Sequence, residues 1–260
     1  MKRFTLLLLI VILGGVAFSQ SANQKKMPIT TDSETARTMF LEAWDAIEDF
    51  RLNQARQLLL EAINEDADFF MANYFLALWN MNSDTDKFKE YAENAINCKA
   101  NLSEGELLLK DAFSKLLTDK ESDLTEIGKE LVKLYPSDVF VYWQLAYFQS
   151  RIKDVDGQIK TLESAIEIAD DPAYYFNSLG YVYMRDSRYK EAEVAFDKYI
   201  ELAPNHPNPY DSKGEYFETI KNYQSAYESY MKAYDLDSKE WRLERAEKAK
   251  SMADSLLNRQ

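Results

Sequence analysis

Along residues 176–204, "FNSLGYVYMRDSRYKEAEVAFDKYIELAP", small and apolar positions recur at helical spacing. Leu179, Gly180, Tyr183, Ala192 and Phe196 stand among Asp, Glu, Lys and Arg. Steps of three and four residues predict two amphipathic helices with a polar turn between them. The pattern returns when the chain is shifted by about 34 residues. With 173–206 as the unit, the next is 207–240: Gly180 maps to Gly214, Phe176 to Tyr210, Tyr183 to Phe217, Tyr189 to Tyr223, Ala192 to Ala226 and Phe196 to Tyr230. One step back, 139–172 offers Tyr142, Leu145, Ala146, Leu162 and Ala165. The unit 105–138 keeps Ala112, Leu131, Leu134 and the closing Pro136 but loses most small residues. The unit 70–104 fits with Leu76, Ala77 and Ala95 after a one-residue slip, and 36–69 has Ala43, Ala55, Leu59 and Ala62 in place.

This spacing has a physical meaning. Glycine costs about 1 kcal/mol relative to alanine inside a helix, so Gly180 needs a packing reason, here the close approach of a neighbouring helix backbone. Ala192 and Ala226 give similar room on the second helix, and Phe196 and Tyr230 fill the space between helices. Pro136, Pro172 and Pro204 fall near unit ends, where a missing amide hydrogen stops a helix. One unit cannot cover its apolar face, so neighbours must stack. Residues 241–260 are more charged and fit a helix that caps the stack, with Trp241 and Leu243 as its contacts to the sixth unit. Residues 20–35 are polar without periodicity and read as a flexible leader, with Asp32 or Ser33 as the N-cap of the first helix. Only 7 glycines and 6 prolines occur, which suits short helix connections better than hairpins.

A period of this length resembles the tetratricopeptide repeat family. The match is tightest over 139–240 and loosest over 70–138, and "NPYDSKGE" at 208–215 is similar to unit starts in bacterial members. The resemblance implies an all-α fold: a right-handed superhelical α-solenoid of about six helix-turn-helix units, with a C-terminal capping helix. It also implies a non-catalytic scaffold or adaptor that binds a protein or peptide in a concave groove lined by first helices. Carried over by offset, the groove positions are Phe40 and Trp44 in the first unit and Met71 and Tyr74 in the second. The fourth unit supplies Phe140, Trp143, Tyr147 and Arg151, and the fifth supplies Tyr174, Asn177, Tyr181 and Arg185. In the sixth unit the face turns acidic, with Asp211, Glu215 and Glu218. Two arrangements of the aromatics are open: packed between stacked first helices, or exposed as a strip edged by Arg151 and Arg185. Tryptophan, tyrosine and arginine are the residues enriched at binding hot spots. The lysine–asparagine clamp of some members is not matched here, so an extended peptide with apolar side chains and an acidic group near the arginines fits better.

Charge and the N-terminus narrow the setting. The formal net charge is −13, which argues against nucleic acid and anionic membrane surfaces as main partners. Lys2 and Arg3 precede the apolar run "FTLLLLIVILGGVAF", and Ala17 and Ser19 place small residues before a cut at Gln20. This is the layout of a secretory signal over 1–19, with a run of 15 residues that falls short of the roughly 20 a bilayer requires. The expectation is an exported chain, periplasmic or secreted, with no membrane anchor after cleavage and a mature charge of 29 − 44 = −15. No cysteine follows the run to carry a lipid. The single cysteine, Cys98, cannot form an internal disulfide, so packing alone must hold the domain.

Chemistry is sparse. His206, the one histidine, lies in "APNHPNP" and reads as a turn residue between units. One His and one Cys do not make a zinc site. "IKDVDGQIKTLE" at 152–163 imitates a calcium loop through Asp154, Asp156, Gly157 and Glu163, but its first ligand position is Ile152, and the same residues fit the turn inside the fourth unit. Ser150 to Lys153 spells a penicillin-binding signature without its partner motifs. Phosphate-cradling glycine loops and metalloprotease motifs do not occur. No catalytic, metal or cofactor residue is therefore expected. Two further readings remain beside the adaptor: a structural subunit of a cell-envelope complex using its convex face or ends, and a small-ligand carrier or enzyme.

Overall fold

The computed structural model describes residues 26–257. The expected signal over 1–19 and the first part of the leader lie outside the described residues. Within them stand thirteen α-helices and no strand. They run in order as α1 (Glu34–Glu48), α2 (Leu52–Glu65), α3 (Phe70–Asn80), α4 (Thr85–Asn97), α5 (Glu104–Thr118), α6 (Thr125–Leu134) and α7 (Val139–Arg151). The remainder are α8 (Val155–Ile168), α9 (Ala173–Arg185), α10 (Tyr189–Leu202), α11 (Pro207–Thr219), α12 (Tyr223–Asp237) and α13 (Glu240–Leu257). Six antiparallel pairs stack in chain order into an all-α solenoid of helix-turn-helix repeats, and α13 lies against α12.

Local chemistry sets the helix ends. Ser33, Asp84, Asp138, Asp154 and Asn222 each cap a helix N-terminus with a side-chain acceptor. Ser103 and Glu106 close a reciprocal capping box on α5. The calcium-like stretch is resolved by this rule: Asp154 accepts from the Gly157 amide at 3.0 Å and starts α8. His206 does the same for α11, its Nδ1 accepting from the Asn208 amide at 3.4 Å, and burial lowers its pKa.

The 34-residue period is visible in backbone and side chains alike. The turn between paired helices carries a left-handed residue at Phe50 (φ 55°), Lys153 (60°), Ser187 (60°) and Lys221 (61°), the same position in four units. The Tyr142 hydroxyl donates to the Pro136 carbonyl at 3.0 Å, and Tyr210 repeats the bond to Pro204 at 3.0 Å two units on. A Cβ on Gly180 would stand 2.6 Å from the Phe196 ring, and one on Gly214 would press still closer on the Tyr230 ring. The close approach at these glycines is therefore made by an aromatic ring of the paired helix, not by a helix backbone.

Two expectations need correction. Residues 26–33 are held in place: Met27 and Thr31 are buried, and the side chains of Asp66, Glu106 and Asp138 bind the segment. Polar leader residues found fixed partners because buried carboxylates at helix starts needed donors. At the other end, Trp241 is 44% exposed with Arg242 over its ring, while Arg242, Ala246 and Ala249 form the buried face of α13. Arg242 pairs with Asp211 and Asp237, and alanines let α13 sit close to α12.

Candidate functional site

The inner face begins at α3, nine of whose eleven residues are buried. A helix apolar all round belongs in a core, and α3 is the hub here. The Phe75 ring meets Phe40, Trp44, Phe140 and Trp143, with centroids 5.5–5.8 Å away. Tyr74 is fully buried and stacks on Phe113 at 4.4 Å.

The first unit then folds across the stack. Trp44 of α1 meets Trp143 of α7 edge-on at 5.6 Å and Phe140 at 5.4 Å. Glu48 accepts from the Tyr175 hydroxyl of α9 at 3.0 Å. Phe50 stacks on Tyr174 at 5.2 Å and tilts against Tyr199 at 6.1 Å. Its left-handed backbone is costly for a bulky side chain, and these two rings offset the cost.

The twelve groove candidates of units one, two, four and five therefore divide. Phe40, Tyr74, Phe140 and Asn177 are core residues, at most 8% exposed, as is Met71; they present no surface to a ligand. For Phe40 and Phe140 the reason is the crossing of α1, which packs Phe40 on Phe75 and Trp44 on Phe140, while Tyr74 is covered by Phe113. Trp44, Trp143, Tyr147, Tyr174 and Tyr181 are half-buried and engaged. Trp143 stacks on Tyr147 at 6.0 Å, and its Nε1 donates to the Tyr174 hydroxyl at 3.0 Å. Tyr181 donates to Glu215 at 2.8 Å. The Arg151 guanidinium donates to the Lys120 carbonyl and lies 3.2 Å from the Met81 sulfur. Of the twelve, Arg185 alone is exposed. The acidic positions of the sixth unit are accounted for by the capping helix. Arg245 binds Glu215 at 2.9 Å and donates to the Tyr230 hydroxyl at 2.7 Å, while Arg242 meets Asp211.

What stays open is a cleft of about 620 Å³ where the C-terminal ends of α7 and α9 meet the start of α8. Its apolar lining is Trp143, Ala146, Leu162 and Val182, and the charged residues Lys153, Arg185 and Asp186 line it as well, two cations to one anion. Neither cation makes an ion pair among the described residues. Of the positions placed by sequence offset, Trp143, Tyr147 and Arg185 line this cleft; Lys153, on the turn before α8, was not among them. A second depression, where α1 meets α8 and α9, is acidic: Asp45, Glu48, Glu167, Asp170 and Asp171 line it. Burial there raises the Glu48 pKa, against the Tyr175 hydrogen bond, with Asp45 and Asp171 adding repulsion.

A family model described as tetratricopeptide repeat matches residues 173–206 and 208–240, the two units that carry the paired Gly180–Phe196 and Gly214–Tyr230 contacts. These two units are tetratricopeptide repeats, and the described chain has the all-α helix-turn-helix solenoid that such repeats build. Among solved structures, yeast Tom70 is similar with a TM-score of 0.56 at 12% identity, over 83% of this chain and 48% of that one, so the repeat protein spans about half of Tom70. TTC0263, a thermophilic TPR protein of Thermus thermophilus, is similar with a TM-score of 0.50 at 16% identity, over 84% and 98% of the two chains. A MamA structure covers 61% of the repeat protein and 96% of its own length at 24% identity, with a TM-score of 0.48. No curated protein sequence matches. Among the described residues, no helix of the repeat protein is long and apolar enough to cross a membrane, and no group of three or more His, Cys, Asp or Glu could hold a metal ion.

Proposed function

We propose that this repeat protein is a non-catalytic, exported scaffold that docks a segment of a protein partner in the cleft between α7, α8 and α9. The observation that carries the reading is the pairing of an apolar lining with two free cations, Lys153 and Arg185, against one anion, Asp186, in a chain of net charge −13. A net cationic cleft on an acidic body selects for an acidic segment, and the apolar lining accepts one bulky apolar side chain of it. Exposed and apolar groups combine here as they do at binding hot spots, and micromolar affinity, about −8 kcal/mol, is the scale for one such cleft. Extended docking along all six first helices is not part of this reading, because the crossing of α1 occupies that path.

Lys153→Glu with Arg185→Glu is the test, since neither side chain supports the fold. Tagged protein carrying both changes loses the partner that the wild-type chain captures from envelope extracts, and wild-type capture weakens as salt rises. Capture of the same partner at equal affinity by the double variant rejects the cleft. Export is checked separately by the mass of the chain recovered from the envelope fraction, which begins at Gln20 if the signal is removed there.

A further inference from the structure

The segment Lys26–Thr31, which has no regular secondary structure, crosses from the C-terminal end of α2 to the N-terminal ends of α5 and α7, and the fold treats it as a bound peptide. The Met27 amide donates to Asp138 Oδ2 at 2.8 Å. The Thr30 amide and hydroxyl donate to the two oxygens of Glu106 at 2.8 and 2.6 Å. The Thr31 hydroxyl donates to Asp66 Oδ2 at 2.5 Å. On the carbonyl side, Ser103 donates to Pro28 at 3.0 Å, and the Arg37 guanidinium donates to Ile29 and, at 3.3 Å, to Thr31. Met27 fills a socket whose base is Gly105: a Cβ there would stand 2.5 Å from the Met27 sulfur and 2.8 Å from the Tyr135 ring.

The receiving groups also serve as helix caps. Glu106 is fully buried and also accepts the Ser103 amide at 2.8 Å as part of the α5 cap. Asp138 is 8% exposed and accepts the Phe140 amide at 3.1 Å as the α7 cap. Both carboxylates are thus fixed by helix starts, where the helix dipole favours negative charge, and each offers a remaining lone pair to the segment. Backbone bonds on both edges with a pocket for one side chain is the way extended peptides are recognised elsewhere.

We propose that this edge is a peptide-binding site, distinct from the α7–α9 cleft, that takes an extended Met-x-x-Thr segment, and that Lys26–Thr31 is its ligand in cis. Covalent attachment gives the segment an effective concentration of about a millimolar, so it outcompetes the same sequence offered in trans. The test uses the full chain with Met27→Ala and Thr30→Ala and a fluorescent peptide of sequence Lys-Met-Pro-Ile-Thr-Thr. Anisotropy shows saturable binding to this variant and at least tenfold weaker binding to the wild-type chain. A peptide with alanine at both positions does not bind. A folded variant that fails to bind the peptide overturns the proposal. Should the variant lose its helicity, hydrogen exchange on the wild-type chain decides. An exchangeable ligand lets the Met27 and Thr30 amides exchange at least tenfold faster than the Leu145 amide inside α7. Equal rates make the segment a permanent part of the core and refute the proposal.

Discussion

Replacing Gly180 by alanine tests the packing rule on which the stack depends. In an open helix position this change stabilises by about 1 kcal/mol, because alanine is the better helix former. Here the added Cβ would lie 2.6–2.8 Å from three atoms of the Phe196 ring. That ring is fully buried, edge-on to Tyr181 at 5.2 Å and tilted against Tyr216 at 6.1 Å, so it has little room to retreat. Overpacking of a tight core costs about 1–3 kcal/mol. The steric cost wins, and Gly180→Ala loses about 1 kcal/mol net. Gly214→Ala meets three atoms of the Tyr230 ring within 2.8 Å, and the Tyr230 hydroxyl is tied to Glu218 at 2.6 Å and Arg245 at 2.7 Å. A ring anchored at its tip yields less, so this variant loses more, about 2 kcal/mol. Urea unfolding followed by far-ultraviolet circular dichroism measures both. A cycle with Phe196→Leu isolates the cause: the shorter side chain relieves the clash, so the double variant is more stable than the sum of the singles by at least about 0.5 kcal/mol. A neutral or stabilising Gly180→Ala, or strict additivity in the cycle, refutes the reasoning.

Other outcomes follow from single residues. Ser187→Gly relieves an exposed left-handed residue, whose Cβ costs about 1–2 kcal/mol there against about 0.5–1 for the extra freedom of glycine, so urea titration gives a gain of about 0.5–1 kcal/mol. Phe50→Gly at the equivalent turn has the opposite sign, because it removes the ring's contact with Tyr174 and Tyr199; a stabilised variant shows that α1 does not close on α9. Glu48→Gln raises the melting temperature at pH 7. Burial holds the folded Glu48 pKa above 4.5, so its contribution is best below that pH and is lost as pH rises through the folded value. The difference between variant and wild type therefore shrinks as the pH falls through the folded value and closes below the ordinary glutamate range, and a constant difference disproves the assignment.

The repeat was legible because it is local. Gly180 and Phe196 meet within one hairpin, as do Gly214 and Tyr230, so their spacing along the chain is their spacing in the fold. The cap was legible as a charged final helix, but not its seating: Trp241 looked like the anchor, and Arg242 is, because Asp211 of α11 gave it a buried partner. The exposure of the groove candidates was not legible. Offsets place a residue on the first helix of a unit, yet whether it faces open space depends on what lies opposite.

Sequence alone determined the hairpin, its period and the need to stack, because each follows from side-chain volumes a few residues apart and from helix ends set by Pro, Asp and Ser. Tertiary structure alone decided that Trp44 reaches Trp143, that Phe50 reaches Tyr174, and that Met27 reaches Asp138. Those contacts join units far apart in the chain, where small rotations between successive hairpins add up, and no periodicity in the residues records the sum.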